Sequence, residues 1–164
     1  DNNTIPIVAD QSTWDVLTTP AYCWYNNDRN TYGEIYGALY NRYSTVTEKL
    51  CPVGWRVPNN ADWTVLINYL GGLDLAGGKM KTTGLTHWLS PNTGATNESG
   101  FSAIPGGARE DGAFQWVGEH ATFMSSENIP TWTGVFSVHY NQLRADYGAG
   151  DLTVGASVRC IKNE

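Results

Sequence analysis

Leu50-Cys51-Pro52-Val53-Gly54-Trp55-Arg56-Val57-Pro58-Asn59-Asn60-Ala61-Asp62-Trp63 holds a turn, an extended segment and a helix start in one short run. Pro52 and Gly54 set the turn. Trp55 to Val57 reads as extended backbone that Pro58 ends. Asn59 then caps a helix, with Asp62 three residues on, where a carboxylate suits the positive helix end. Trp63, Leu66, Ile67 and Leu70 fall at i, i+3, i+4 and i+7 and form one apolar face. Gly71-Gly72 closes the helix, expected over 60–70.

Outward from this stretch, the N-terminal side is mixed. Residues 1–11 are polar and expected to be extended. Ser12 to Leu17 looks like a helical turn with a Ser or Thr cap, and Ala21 to Tyr25 like an aromatic strand. Apolar and aromatic residues from Ile35 to Tyr43 fit either period, and Gly33 and Gly37 favour a strand. On the C-terminal side, residues 71–100 are rich in Gly, Thr, Asn and Ser and predict a long irregular excursion, either functional or clamped by its own aromatics. Short strands are predicted at 101–104, 113–118 behind the Asp111-Gly112 turn, 121–126, 133–140 and 156–161. Early helices followed by a run of short strands make an α+β outline dominated by loops.

A chain of 164 residues suits one domain with a real core, here taken as 1–164. Only 16% of residues are charged, below the usual quarter, and 18 glycines, many amides and abundant aromatics stand in their place. That composition suits a secreted, loop-rich protein that binds a neutral ligand. A net charge of −6 argues against nucleic acid or an anionic membrane surface as partner. No apolar run is long enough for membrane insertion. The abrupt start at Asp1 suggests a removed leader or an upstream segment.

The three cysteines, Cys23, Cys51 and Cys160, have no metal-finger or redox spacing. The preferred pairing is Cys51–Cys160, with Cys23 buried and reduced; the alternative is three buried thiols in a reducing compartment. Closing so long a loop is worth about 5 kcal/mol in the chain-entropy model.

Several segments together resemble the Fibrobacter succinogenes major paralogous domain family. They include Ala21-Tyr22-Cys23-Trp24-Tyr25-Asn26-Asn27-Asp28, Tyr36-Gly37-Ala38-Leu39-Tyr40-Asn41 and the Leu50–Pro58 run. Ala76-Gly77-Gly78-Lys79-Met80-Lys81, His87-Trp88, Ser90 to Phe101, Pro105-Gly106-Gly107, Ser125-Ser126-Glu127 and Ser157-Val158-Arg159-Cys160 follow in order. The likeness covers residues 5–162. It implies an exported or lipid-anchored surface protein of Bacteroidetes or Fibrobacteres, or part of a larger exported protein. It also implies a fold similar to the C-type-lectin-like and formylglycine-generating-enzyme folds, with a small twisted antiparallel sheet and long loops. The family's opening segment has no counterpart here, and residues 108–155 drift from its pattern.

That drifting stretch is the expected binding face, with Trp116, Trp132, His139, Tyr140, Gln142, Arg144, Asp146 and Tyr147 as ligand-binding candidates. Trp116 and Trp132 are candidates for stacking on a sugar, flanked by Gln115, Glu119, Asn128 and Thr131. Trp14, Trp24, Trp55, Trp63 and Trp88 are expected in the core, and Arg56 and Arg159 are read as structural, each needing a carboxylate if buried. A polysaccharide or cell-surface glycan is the first expected ligand. A surface protein is the second, if this face is diversified by a retroelement. An enzyme related to the formylglycine-generating fold is a third reading, but its late cysteine pair is missing. No catalytic residue is assigned: the histidines are isolated, and a carboxylate pair from Glu110, Asp111 and Glu119 has no known separation. No cofactor is expected beyond a structural calcium ion at Asn141, Asp146 and Asp151.

Overall fold

The computed structural model describes residues 4–47, 49–127 and 129–163. Its helices are α1 (Gln11–Trp14), α2 (Glu34–Tyr36), α3 (Arg42–Thr45), α4 (Asn60–Tyr69) and α5 (Leu73–Met80). Its strands are β1 (Tyr22–Cys23), β2 (Leu39–Asn41), β3 (Trp55–Arg56), β4 (Gly106–Glu110), β5 (Ala113–Val117), β6 (His120–Met124), β7 (Thr133–His139), β8 (Ala145–Gly150), β9 (Gly155–Ala156) and β10 (Ile161–Lys162). The architecture is α+β. The main sheet runs β1-β2-β9-β4-β6-β7-β8, with β5 hairpinned onto β4, and β3 pairs with β10 in a separate ribbon. The strand pairings are antiparallel except where β4 meets β6 at Gly107 and Ala121.

The Leu50–Trp63 run folds largely as its residues dictate. Asn59 and Asp62 form a full capping box at the start of α4, and Arg56 adds a two-pronged ion pair to Asp62. Cys51 and Cys160 are bonded, with Cα atoms 5.9 Å apart. Cys23 is free and buried, and burial raises its thiol pKa. Ser125, Ser126 and Glu127 dock onto this run from the sheet. Ser126 N donates to Pro58 O at 2.9 Å, and Glu127 accepts from Asn60 N. Trp63, Ile67 and Leu70 then bury against Phe123, Phe136, Val138 and Met80, and Leu66 packs at the margin. Trp63 stacks on Phe136 at 4.4 Å.

Several expectations are corrected. Trp55 is 45% exposed, because β3 belongs to the outlying ribbon and not to the main sheet. Trp24 is only partly buried, under Arg29. Arg159 is exposed, so the condition for a carboxylate partner does not arise; among the described residues none pairs with it, and its guanidinium lies 4.7 Å from the Phe101 ring. The cap of α1 is Asp10, not Ser12 or Thr13. Residues 34–45 are α2, β2 and α3 in succession, since Gly37 turns the chain at φ +78 and Asn41 caps α3. At 101–104 there is only the single bridge of Ala103 to Lys81. The predicted last strand divides into β9 and β10.

The largest surprise is α5, inside the stretch expected to be irregular. Gly77 and Gly78 look like turn formers in sequence, but here they let backbone meet backbone. A Cβ on Gly77 would sit 2.3 Å from the Arg144 carbonyl oxygen, and Gly78 N donates to Leu143 O at 2.9 Å. The rest of the excursion takes the clamped alternative: Trp88 is buried and donates to Thr82 and to Ala103 O.

Candidate functional site

In β6, β7 and β8 the pleat sends alternate residues to opposite faces. Ala121, Phe123, Phe136, Val138 and Ala145 face the helices. His120, Ser137, His139 and Asp146 share the other face, because His120 pairs with His139 and Ser137 with Asp146. The imidazole centroids are 4.0 Å apart. Trp116 stacks on His120 at 5.1 Å with the planes 20° apart. The result is a partly exposed aromatic shelf of Trp116, His120 and His139.

Polar groups border the shelf. Asp146 accepts from Gln142 Nε2 at 2.8 Å and from Arg144 Nε at 2.9 Å, and its Oδ2 lies 3.4 Å from His139 Nε2. Arg144 also reaches Asp74 at 3.1 Å. Ser137 Oγ is 3.0 Å from the same His139 nitrogen. A Ser–His–Asp relay uses opposite ring nitrogens, so this trio does not have relay geometry.

Burial pushes His120 down to about 4, and the neighbouring His139 acts in the same direction against a weaker pull from Asp146. Burial also lowers His139, against Asp146 and with Lys81. Both rings are therefore neutral at pH 7, which suits an aromatic stacking surface.

Lys81 holds the shelf from behind. It is fully buried, and its ammonium donates to Thr93 O at 2.9 Å, His139 O at 2.8 Å and Gln142 O at 3.0 Å. Burial brings it down to about 8. Together with Gly77 and Gly78, it fixes the turn that carries Gln142 and Arg144. Trp116 itself has φ +64, a costly conformation for a bulky residue and one that concentrates at functional sites.

Of the sequence candidates, Trp116, His139, Gln142, Arg144 and Asp146 come together. Tyr140 packs toward the core and spends its backbone on Glu119 and Thr93. Tyr147 lies on the helix-facing side, its hydroxyl 3.4 Å from Ser125 and Glu127, and burial pushes it up to about 12. Trp132 sits beyond the other end of β7, about 20 Å from the shelf at strand rise, its carbonyl accepting from Arg42. Asn128, expected beside it, lies outside the described residues. Asp151 caps Thr153 past the far end of β8 and does not meet Asp146, so the calcium set does not converge. Among the described residues no cluster of three His, Cys, Asp or Glu is placed to hold a metal ion. Glu110 and Glu119 stand at opposite ends of the β4–β5 hairpin and form no pair.

In sequence, Lys81 figures only within the family motif at 76–81, His120 only as an isolated histidine, and Ser137 only as part of the drifting stretch. Alternation in β7 places Ser137 beside His139, but only the strand register brings in His120. Two clefts open elsewhere, one of about 890 Å³ along the Cys51 turn and one of about 480 Å³ beside α4; no shelf residue lines either.

An α+β domain stapled by one disulfide and bearing an aromatic shelf is the class these features define. The chain belongs to the Fibrobacter succinogenes major domain family, whose model matches residues 1–162. No curated protein matches it, and neither does any solved structure. Among the described residues no helix is long and apolar enough to cross a membrane.

Proposed function

We propose that this chain is a non-catalytic, exported binding module on a C-type-lectin-like fold, and that its shelf takes a glycan. The observation that carries this reading is the Trp116–His120–His139 stack bordered by Asp146, Gln142 and Arg144. A sugar ring offers an apolar C–H face for an aromatic surface and hydroxyls for carboxylate and amide groups at its edge. The disulfide supports export, since such bonds persist in oxidising compartments. Two features support a binding role over an enzymatic one: Ser137 and Asp146 share one His139 nitrogen, and Cys160 is already bonded to Cys51.

Affinity electrophoresis through gels containing single polysaccharides tests it. At least one polysaccharide retards the parent chain, Trp116→Ala and Asp146→Ala abolish that retardation, and Trp132→Ala leaves it. Retardation that survives Trp116→Ala overturns the reading.

A surface-protein ligand is the second reading. It is favoured by the partly exposed Ser137, His139 and Asp146 on one face of paired strands. It requires a near-identical template repeat and a reverse transcriptase beside the coding region, and their absence removes it.

A further inference from the structure

The geometry points to a second, separate site: a cleft beside α4 that binds a small amphipathic carboxylate, a free medium-chain monocarboxylic acid. The cleft has a volume of about 480 Å³, within the range of small-molecule sites. Its walls are Trp63, Val65, Leu66, Tyr69 and Phe101, with Arg159 among them. Helix α4 thus has two apolar strips. One, Trp63, Ile67 and Leu70, is spent on the core. The other is open: Val65 is 70% exposed and Tyr69 84%.

The charge in this cleft is unusual. Asp62 also lines it, but its carboxylate is engaged by Arg56 and by the Asn59 backbone. Arg159 is not answered in the same way. Its guanidinium lies over Phe101, and among the described residues no carboxylate pairs with it. In a chain of net charge −6, an uncompensated cation on an apolar wall is a feature to be explained.

Apolar walls with one uncompensated cation define the guest's chemistry. Its body is aliphatic, because a sugar's hydroxyls would lose water here without gaining partners. Its head is a carboxylate, because the planar guanidinium fork matches two carboxylate oxygens. The free acid is favoured over a second copy of this chain by that charge match: what the cleft lacks is an anion.

The test is calorimetric titration of the intact chain with hexanoate, octanoate and decanoate, each below its micelle concentration, against octanol and octylamine. Saturable binding is expected for the acids, tightening about twofold to fourfold per added methylene. Octanoate should bind at least about tenfold tighter than octanol. Arg159→Gln removes that preference, Arg159→Lys keeps part of it, and Val65→Asp weakens the whole series. Both positions are exposed, so the variants fold, as thermal melts will check. Lack of saturable binding by the acids, equal affinity for octanoate and octanol, or a preference that survives Arg159→Gln overturns the proposal. So does self-association in sedimentation that Val65→Asp abolishes while no acid binds. Trp116→Ala leaves acid binding unchanged, so this site and the shelf stand or fall independently.

Discussion

The two faces of β6, β7 and β8 arise from the same short strands and have opposite characters. On one, Phe123, Phe136 and Val138 disappear beneath Trp63, Ile67 and Met80. On the other, His120, Ser137, His139 and Asp146 touch one another at the sheet's open end. The first face determines the second. A one-residue slip of β7 would drive His139 inward and Phe136 outward, a change the apolar core forbids. The core therefore supplies the register that assembles the shelf, and contacts within the shelf are expected to add little to stability.

The strongest way to break that contrast is to cut both faces. Phe136→Ala should cost about 3–5 kcal/mol, because it removes a fully buried ring stacked on Trp63. His139→Ala, on the shelf, should cost no more than about 1 kcal/mol. Urea unfolding of both variants measures this, and equal costs would mean that the shelf is itself part of the core.

Acid sharpens the comparison at the next scale. His120 falls from 6.5 unfolded to about 4 folded, so the unfolded chain binds more protons between those values. Stability then rises with pH through that window, and its His120 contribution is lost as pH falls from 6.5 toward 4. The effect is on the order of 1 kcal/mol, reduced because the ring keeps some contact with water. Thermal melts at pH 7 and pH 5 should show it, and His120→Gln should flatten the difference.

The smallest stability effect is expected at Trp116. Trp116→Gly relieves a side chain held at φ +64, so the fold gains up to about 1 kcal/mol against the loss of the ring's packing. Polysaccharide retardation should vanish in the same variant. A large loss of stability would instead make Trp116 a packing residue.

The parts legible in sequence were local. Asn59 and Asp62 announce the start of α4, Asp111-Gly112 announces its hairpin with both residues at positive φ, and alternation announces β7. Helix α5 was hidden because Gly77-Gly78 carries a turn signature in any sequence. Gly77 is required by the backbone of Leu143 and Arg144, far along the chain, and Gly78 by the Gly94 carbonyl and the Leu143 side chain. Strand β8, Ala-Asp-Tyr-Gly-Ala-Gly, has no alternation of its own and exists because β7 pairs with it.

By itself the sequence determined the capped helix, the turn before it, the cysteine that the C-terminal strand would meet and the family to which the chain belongs. These depend on neighbours within a few residues or on motifs kept in order. Tertiary structure decided which histidines touch, which tryptophans stay at the surface, and that the Arg159 guanidinium lies over Phe101. Those outcomes follow from strand register and from long-range packing, where each residue's environment is set by partners that the local chain does not name.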